Sequence, residues 1–183
     1  MEKTKPLIVE YEINSSTMVV MPFVYGSKIY SKIYEYNQES ISPFKPLDII
    51  KESCELFGST FEGRRIATKK LIGATHKVPI SISPSIYLFP TASPENSQCH
   101  WIAHDHVLEY KKEGKNSTLV TFRNGQTLTI PISVNSFQNQ FMRTVMLKSK
   151  LTKRYSETMQ KSPYKDKYRK TKSAEQPENY ELY

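Results

Sequence analysis

Residues 117–122 and 126–132 alternate apolar with polar side chains on either side of Arg123-Asn124-Gly125. Period two places one set of side chains on each face of a strand. Asn-Gly tolerates positive φ at both central positions of a type I′ turn, the connection that suits a two-stranded hairpin. A β-hairpin is predicted here more sharply than any other element. Residues 27–36 alternate in the same way. Ile29, Ser31 and Ile33 fall on one face, and Lys28, Tyr30, Lys32, Tyr34 and Tyr36 on the other. Met18, Val19, Val20 and Met21 form a compact apolar run before them, and Tyr25-Gly26 is the expected turn. Residues 85–90 and 100–110 read as further strands, separated by a polar loop at 91–97. Residues 59–80 read as a basic stretch with strand character at its end.

Two helices are expected among these strands. In residues 46–57 the positions Ile49, Ile50, Ser53, Cys54 and Phe57 share one face at helical period. Pro46 suits the first helical position, and Gly58 suits a left-handed cap. In residues 136–150, Phe137, Phe141 and Val145 recur every four, with Met142 and Met146 beside them and Asn135 as expected N-cap. The predicted class is α+β: antiparallel sheet and hairpins, two principal helices (about 46–57 and 136–150) and a mobile C-terminal tail. With 183 residues, one domain is expected. Its bounds are read as 1–153, before a charged, disordered tail at 154–183. That tail carries Lys161, Lys165, Lys167, Arg169, Lys170 and Lys172, then Glu175, Glu178 and Glu181, with no apolar period.

The formal net charge is +8. An excess of that size speaks to partners rather than fold, and favours nucleic acid, an anionic membrane surface or an acidic protein. Only two cysteines are present, Cys54 and Cys99, too few for a disulfide framework; Cys54 is expected in the core. Near the N-terminus only three apolar residues precede Glu10, short of a secretory signal. Pro22 breaks the run from Met18 to Tyr25, well short of a membrane span. The expectation is a cytoplasmic, nucleoid-associated protein with no membrane partner.

Enzymatic chemistry finds little support. Cys99, His100, His104, Asp105 and His106 crowd within eight residues, and on a continuous strand His100, His104 and His106 would share a face. A metal-dependent enzyme using that face is one alternative. Trp101 stands where a zincin helix needs Glu, and no second Cys/His pair has zinc-finger spacing. The glycines have no dinucleotide spacing, Gly114-Lys115 lacks the rest of a phosphate loop, and no Gly-x-Ser-x-Gly elbow exists. Glu52 and Glu55 are expected as solvated charges. No catalytic residue, metal ligand or cofactor is assigned, and the chain is not expected to be an enzyme.

Basic residues beside short apolar ones carry more. The candidate DNA-binding residues are Arg64, Arg65, Lys69, Lys70, Arg123 and Arg143. Arg64-Arg65 are expected to be exposed after a turn at Gly63, Lys111 and Lys112 to crowd a second turn, and Arg123 to project from a hairpin tip. Such projections suit the narrow minor groove of A/T-rich DNA, whose negative potential attracts Arg. No helix is expected to carry an Asn, Gln and Arg array for base edges in the major groove. A basic adaptor that binds an acidic protein is the other alternative.

Four blocks lie in one order along the chain. The first runs from Lys45-Pro46-Leu47-Asp48 through Phe57-Gly58-Ser59-Thr60-Phe61-Glu62-Gly63-Arg64-Arg65. The second is His76-Lys77-Val78-Pro79-Ile80. The third runs from Leu88-Phe89-Pro90-Thr91 to Cys99-His100-Trp101-Ile102-Ala103-His104-Asp105-His106-Val107. The fourth runs from Thr121-Phe122-Arg123-Asn124-Gly125 to Pro131-Ile132-Ser133-Val134-Asn135-Ser136-Phe137. Together these resemble the ComK family of bacterial competence transcription factors over roughly residues 7–150. The resemblance implies a DNA-binding activator of the genes for DNA uptake and recombination. It implies recognition of paired A/T-rich boxes in double-stranded DNA, approach through the minor groove, and action as a homo-oligomer. It also implies restraint by an adaptor that delivers the protein for proteolysis. After about Lys150 no block matches, and no compact apolar motif offers such an adaptor a grip.

Overall fold

The structure, a computed structural model, describes residues 7–160. β1 (Thr17–Tyr25) and β2 (Lys28–Glu35) form a hairpin in which Val20 faces Ile33 and Tyr25 faces Lys28. Gly26 takes φ 59° in the turn between them, a conformation that costs glycine little. β3 (Glu39–Ser42) pairs with β2. Two consecutive helices follow, α1 (Pro46–Leu56) and α2 (Phe61–Ile72). The chain then returns as β4 (Ile80–Ser83), β5 (Ile86–Pro90) and β6 (Trp101–Ala103). The large sheet is antiparallel throughout, in the order β3-β2-β1-β6-β5-β4. A 3₁₀ turn at His104–His106 leads into a second antiparallel sheet of β7 (Val107–Glu113), β8 (Ser117–Phe122) and β9 (Thr127–Ile130). α3 (Val134–Gln160) completes the described chain.

The large sheet is the middle layer, and successive residues serve opposite cores. Val20, Ile33, Leu88, Trp101 and Ala103 pack with Ile49, Ile50, Cys54 and Phe61 of α1 and α2. Their strand neighbours Val19, Tyr34, Phe89 and Ile102 pack with Val120, Phe122 and Ile130 of the small sheet and Phe137 of α3. Burial on both faces is why Met18 to Met21 is an unbroken apolar run. Phe89 meets Phe137 edge-on at 5.3 Å between ring centres, and Phe61 meets Trp101 edge-on at 6.0 Å. Burial pushes the Cys54 thiol up to about 11, as suits an inert core residue.

The α+β class and the antiparallel hairpins are as expected, with three corrections. Among the described residues there are three helices, not two. Residues 61–72, expected as a basic stretch, form α2, so Gly63 sits inside a helix and not in a turn. Thr60 caps this helix by accepting the Gly63 N–H at 3.0 Å, and Gly73 closes it at φ 69°. α1 stops at Leu56 and leaves Phe57 exposed rather than on the buried face; Gly58 is left-handed as expected. α3 begins at Val134, with Ser133 and not Asn135 accepting the Ser136 N–H at 3.3 Å. It continues to Gln160, so residues 154–160, assigned to the tail, are helical. The tail residues 161–183 lie outside the described residues.

Candidate nucleic-acid interface

α2 and α3 pack together and bring most of the basic candidates onto one side of the molecule. Arg143 of α3 donates to the His76 carbonyl at 3.1 Å, and Lys150 donates to the Leu71 carbonyl at 2.6 Å. As α3 advances, its partners retreat along the chain, so it runs antiparallel to the exit of α2. Arg143, Lys150 and Arg154 recur at seven and four residues and share one helix face. Lys69 stands one turn from Arg65 on α2, and Lys70 is exposed beside it. The side chains of Lys70 and Arg154 make no ion pair or hydrogen bond with any described residue. Arg65 is paired with Glu62 on its own helix at 2.8 Å, a surface contact worth little.

Arg64 has a different position. It is mostly covered, not exposed. Its Nη1 donates to the Ser81 carbonyl on the edge strand β4 at 2.6 Å, and its Nη2 donates to the Phe57 carbonyl past the end of α1 at 3.0 Å. Arg123 is exposed but folded back. Its Nε donates to the Asp105 carbonyl at 2.7 Å, and its N–H to the His106 carbonyl at 2.9 Å. The turn that carries it is not type I′. Gly125 alone is left-handed, at φ 84°, and Phe122 N–H bonds across to Gln126, which makes a three-residue loop. Arg123 is therefore fastened to Asp105, whose carboxylate is bound by Lys148 of α3, and its side chain makes no hydrogen bond or ion pair with α2.

Lys111 and Lys112 are on strand β7 rather than in a turn, and Lys115 lies in the turn that follows. These lysines sit at the opposite end of the small sheet from Arg123, since Glu113 pairs with Ser117 and Val107 with Phe122. At about 3.4 Å per residue that is roughly 15–20 Å. Acidic residues gather elsewhere, beside α1. A groove of about 470 Å³ beside α1 is lined by Glu10, Glu12, Asp48 and Glu52. That side repels a polyanion, and the α2–α3 side attracts one.

The histidine block does not form the expected face. His104–His106 turn in a 3₁₀ geometry, so the strand alternation that would have aligned His100, His104 and His106 is broken. His100 bonds to the Gln98 carbonyl, His104 to the Asp105 carboxylate and His106 to the Ser15 carbonyl. Among the described residues no group of three or more His, Cys, Asp or Glu is gathered as for a metal. No helix there is long and apolar enough to cross a membrane.

Asp105 instead ties the 3₁₀ turn to α3 through Lys148 at 2.6 Å. Burial acts to raise its carboxyl, but hydrogen bonds from Lys148 and His104 outweigh this and hold it below its ordinary value. A lowered folded value adds stability above the unfolded value near ~4, and that stability disappears as pH falls through the folded value. The melting temperature should therefore decline below about pH 4. Asp105→Asn should show a shallower decline over the same range in a calorimetric pH series. An acid limb as steep as the parent's would exclude Asp105 as a contributor.

Sequence reading did not single out Lys77 or the amides of α3. Lys77 has φ 49° and is the one non-glycine residue with positive φ among the described residues. Asn135, Gln138 and Asn139 are exposed on the first turns of α3, so this helix presents amides to solvent. Their spacing was legible, but not which face the core would take.

A family model described as ComK protein matches residues 8–156. The chain is also 43% identical over 155 residues to the competence transcription factor of Bacillus subtilis (strain 168), covering 84% of this chain and 81% of that protein. No solved structure matches it. The four sequence blocks thus fall within one matched span that runs from the segment before β1 into the second half of α3, and the chain belongs to the ComK family.

Proposed function

We propose that the α2–α3 face is the surface through which this protein, a transcriptional activator of competence and not an enzyme, engages double-stranded DNA. The observation that carries this reading is the convergence of Lys69, Lys70, Arg143, Lys150 and Arg154 on the α2–α3 face, while Glu10, Glu12, Asp48 and Glu52 gather in a groove beside α1. Cations on helix faces position a duplex through its phosphates. Arg65 belongs to this face once it exchanges Glu62 for a phosphate. Arg64 serves the fold, and Arg123 at one end of the small sheet and Lys111, Lys112 and Lys115 at the other are separate basic positions that a long site would reach.

The preferred site is a pair of A/T-rich boxes read from the minor groove by a homo-oligomer close to the nucleoid. A narrow A-tract groove concentrates negative potential where Lys and Arg approach, and it distinguishes A·T from G·C chiefly by the guanine amino group. The exposed Asn135, Gln138 and Asn139 favour a second reading, in which α3 enters the major groove with amides facing adenine edges. Replacing A·T by inosine·cytosine omits the amino group but rewrites the major-groove pattern. By fluorescence anisotropy, binding should survive this substitution within roughly tenfold, about 1.4 kcal/mol, whereas each important major-groove mismatch costs ~1–3 kcal/mol. A fall to the non-specific level with inosine·cytosine, and no worse with G·C, would establish the amide reading instead. Control by a proteolytic adaptor rests on the family resemblance alone, and residues 161–183 of the tail lie outside the described structure.

A further inference from the structure

The segment between α2 and β4 is held in an unusual way. Gln140 of α3 is 2% exposed and donates from its Nε2 to the Lys77 carbonyl at 2.7 Å and to the Pro90 carbonyl at 2.9 Å. Its Oε1 accepts from Arg143 Nη1 at 3.2 Å, and the same Nη1 donates to the His76 carbonyl at 3.1 Å. One buried amide and one guanidinium thus grip two successive carbonyls. Between them Lys77 is forced to φ 49°. A left-handed backbone is unfavourable for an L side chain and free for glycine, yet the position holds a long cationic one. Strain maintained by surrounding contacts is a feature of ligand-holding sites. Lys77 lines a cleft of about 330 Å³ with Arg65, His76, Ser93 and Pro94, and Arg143 is fastened to its rim. Three cations surround this cleft. None of its lining residues is acidic; of the carboxylates nearby, Glu62 is bound to Arg65, and Glu95, which follows Pro94, is exposed outside the lining.

We propose that this cleft is a preformed phosphate-binding site for the DNA backbone, with Lys77 as its contact and Gln140 as the residue that positions it. The inference rests on the α2–α3 face being the DNA surface. A lysine carried on a clamped backbone meets a phosphodiester with its main chain already ordered, so less freedom is lost on binding.

The test compares Lys77→Gly and Lys77→Asn, both tolerant of the left-handed conformation, with Lys77→Arg. The first two should match or exceed the parent in melting temperature, because backbone strain is relieved. Their affinity for promoter duplex should fall about three- to tenfold, and the slope of log affinity against log salt should drop by about one. Lys77→Arg should restore most of both. In a Gln140→Leu background that remains folded, Lys77→Asn should have a smaller effect than in the parent, which a merely structural Gln140 would not produce. If Lys77→Asn leaves affinity and slope unchanged while Lys70→Ala lowers both, the cleft is not a contact and the wider basic face stands. If neither lowers them, the DNA surface lies elsewhere. Inorganic phosphate alone should not raise the melting temperature; stabilisation that depends on Lys77 would identify a free-anion site and overturn the proposal.

Discussion

Raising salt from 50 to 200 mM should weaken binding to promoter duplex by about two to three orders of magnitude, if each subunit neutralises about four to six phosphates. The estimate follows from counterion release of about 0.9 per phosphate contact on duplex DNA. The α2–α3 face offers Lys69, Lys70, Arg143, Lys150, Lys153 and Arg154, a set of the right size. Two subunits engaged together would steepen the slope further. The groove lined by Glu10, Glu12, Asp48 and Glu52 opposes contact from the α1 side, so the slope should respond unevenly to mutation. Lys69→Glu with Lys70→Glu should flatten it, and Lys45→Glu beside the acidic groove should not. Anisotropy titrations across a salt series provide the measurement. A flat response in the parent protein would remove the phosphate contacts and favour an acidic protein as the partner.

The parts of the fold legible in the sequence are those whose burial leaves a regular pattern. The β1–β2 and β8–β9 hairpins and the apolar face of α1 follow from periods of two and 3.6. α2 escaped because only Phe61 and Thr68 are buried along it, so no apolar stripe marks it, and Gly63 resembles a turn. Its caps, Thr60 and Gly73, were the readable signals. The last turns of α3 escaped for a related reason: residues 152–160 are all exposed, and a helix with no face to bury has no period to display. The turn type at Asn124-Gly125 was set from a distance. Asn124 donates its amide to the Tyr36 carbonyl at 2.8 Å, and Arg123 is bonded to residues 105 and 106. The basic residues were legible as a list but not as a surface. Their convergence depends on α3 running antiparallel past the exit of α2, a helix that local pattern did not reveal.

Arg64→Ala should destabilise the protein by about 2–4 kcal/mol, because a partly buried carbonyl loses a charged donor and the side-chain stem loses its packing. For a domain of this size that corresponds to a fall of about 5–15 °C in melting temperature. The Ser81 carbonyl lies on β4, which is an edge of the large sheet. Arg64 occupies that edge at 2.6 Å and ties it to the Phe57 carbonyl beyond α1. Lysine cannot span both acceptors with one ammonium, so Arg64→Lys should recover only part of the loss. The neighbouring Arg65→Ala removes an exposed pair with Glu62 and should change stability by no more than about 0.5 kcal/mol. DNA binding should show the reverse order. Arg64→Ala, assayed well below its melting temperature, should bind promoter duplex within about twofold of the parent, a difference under ~0.5 kcal/mol. Arg65→Ala should bind more weakly and with a shallower salt slope. Thermal melts and anisotropy on the two single variants separate these effects, which a double substitution would merge. Equal melting temperatures for parent and Arg64→Ala would show that the guanidinium does not hold the sheet edge.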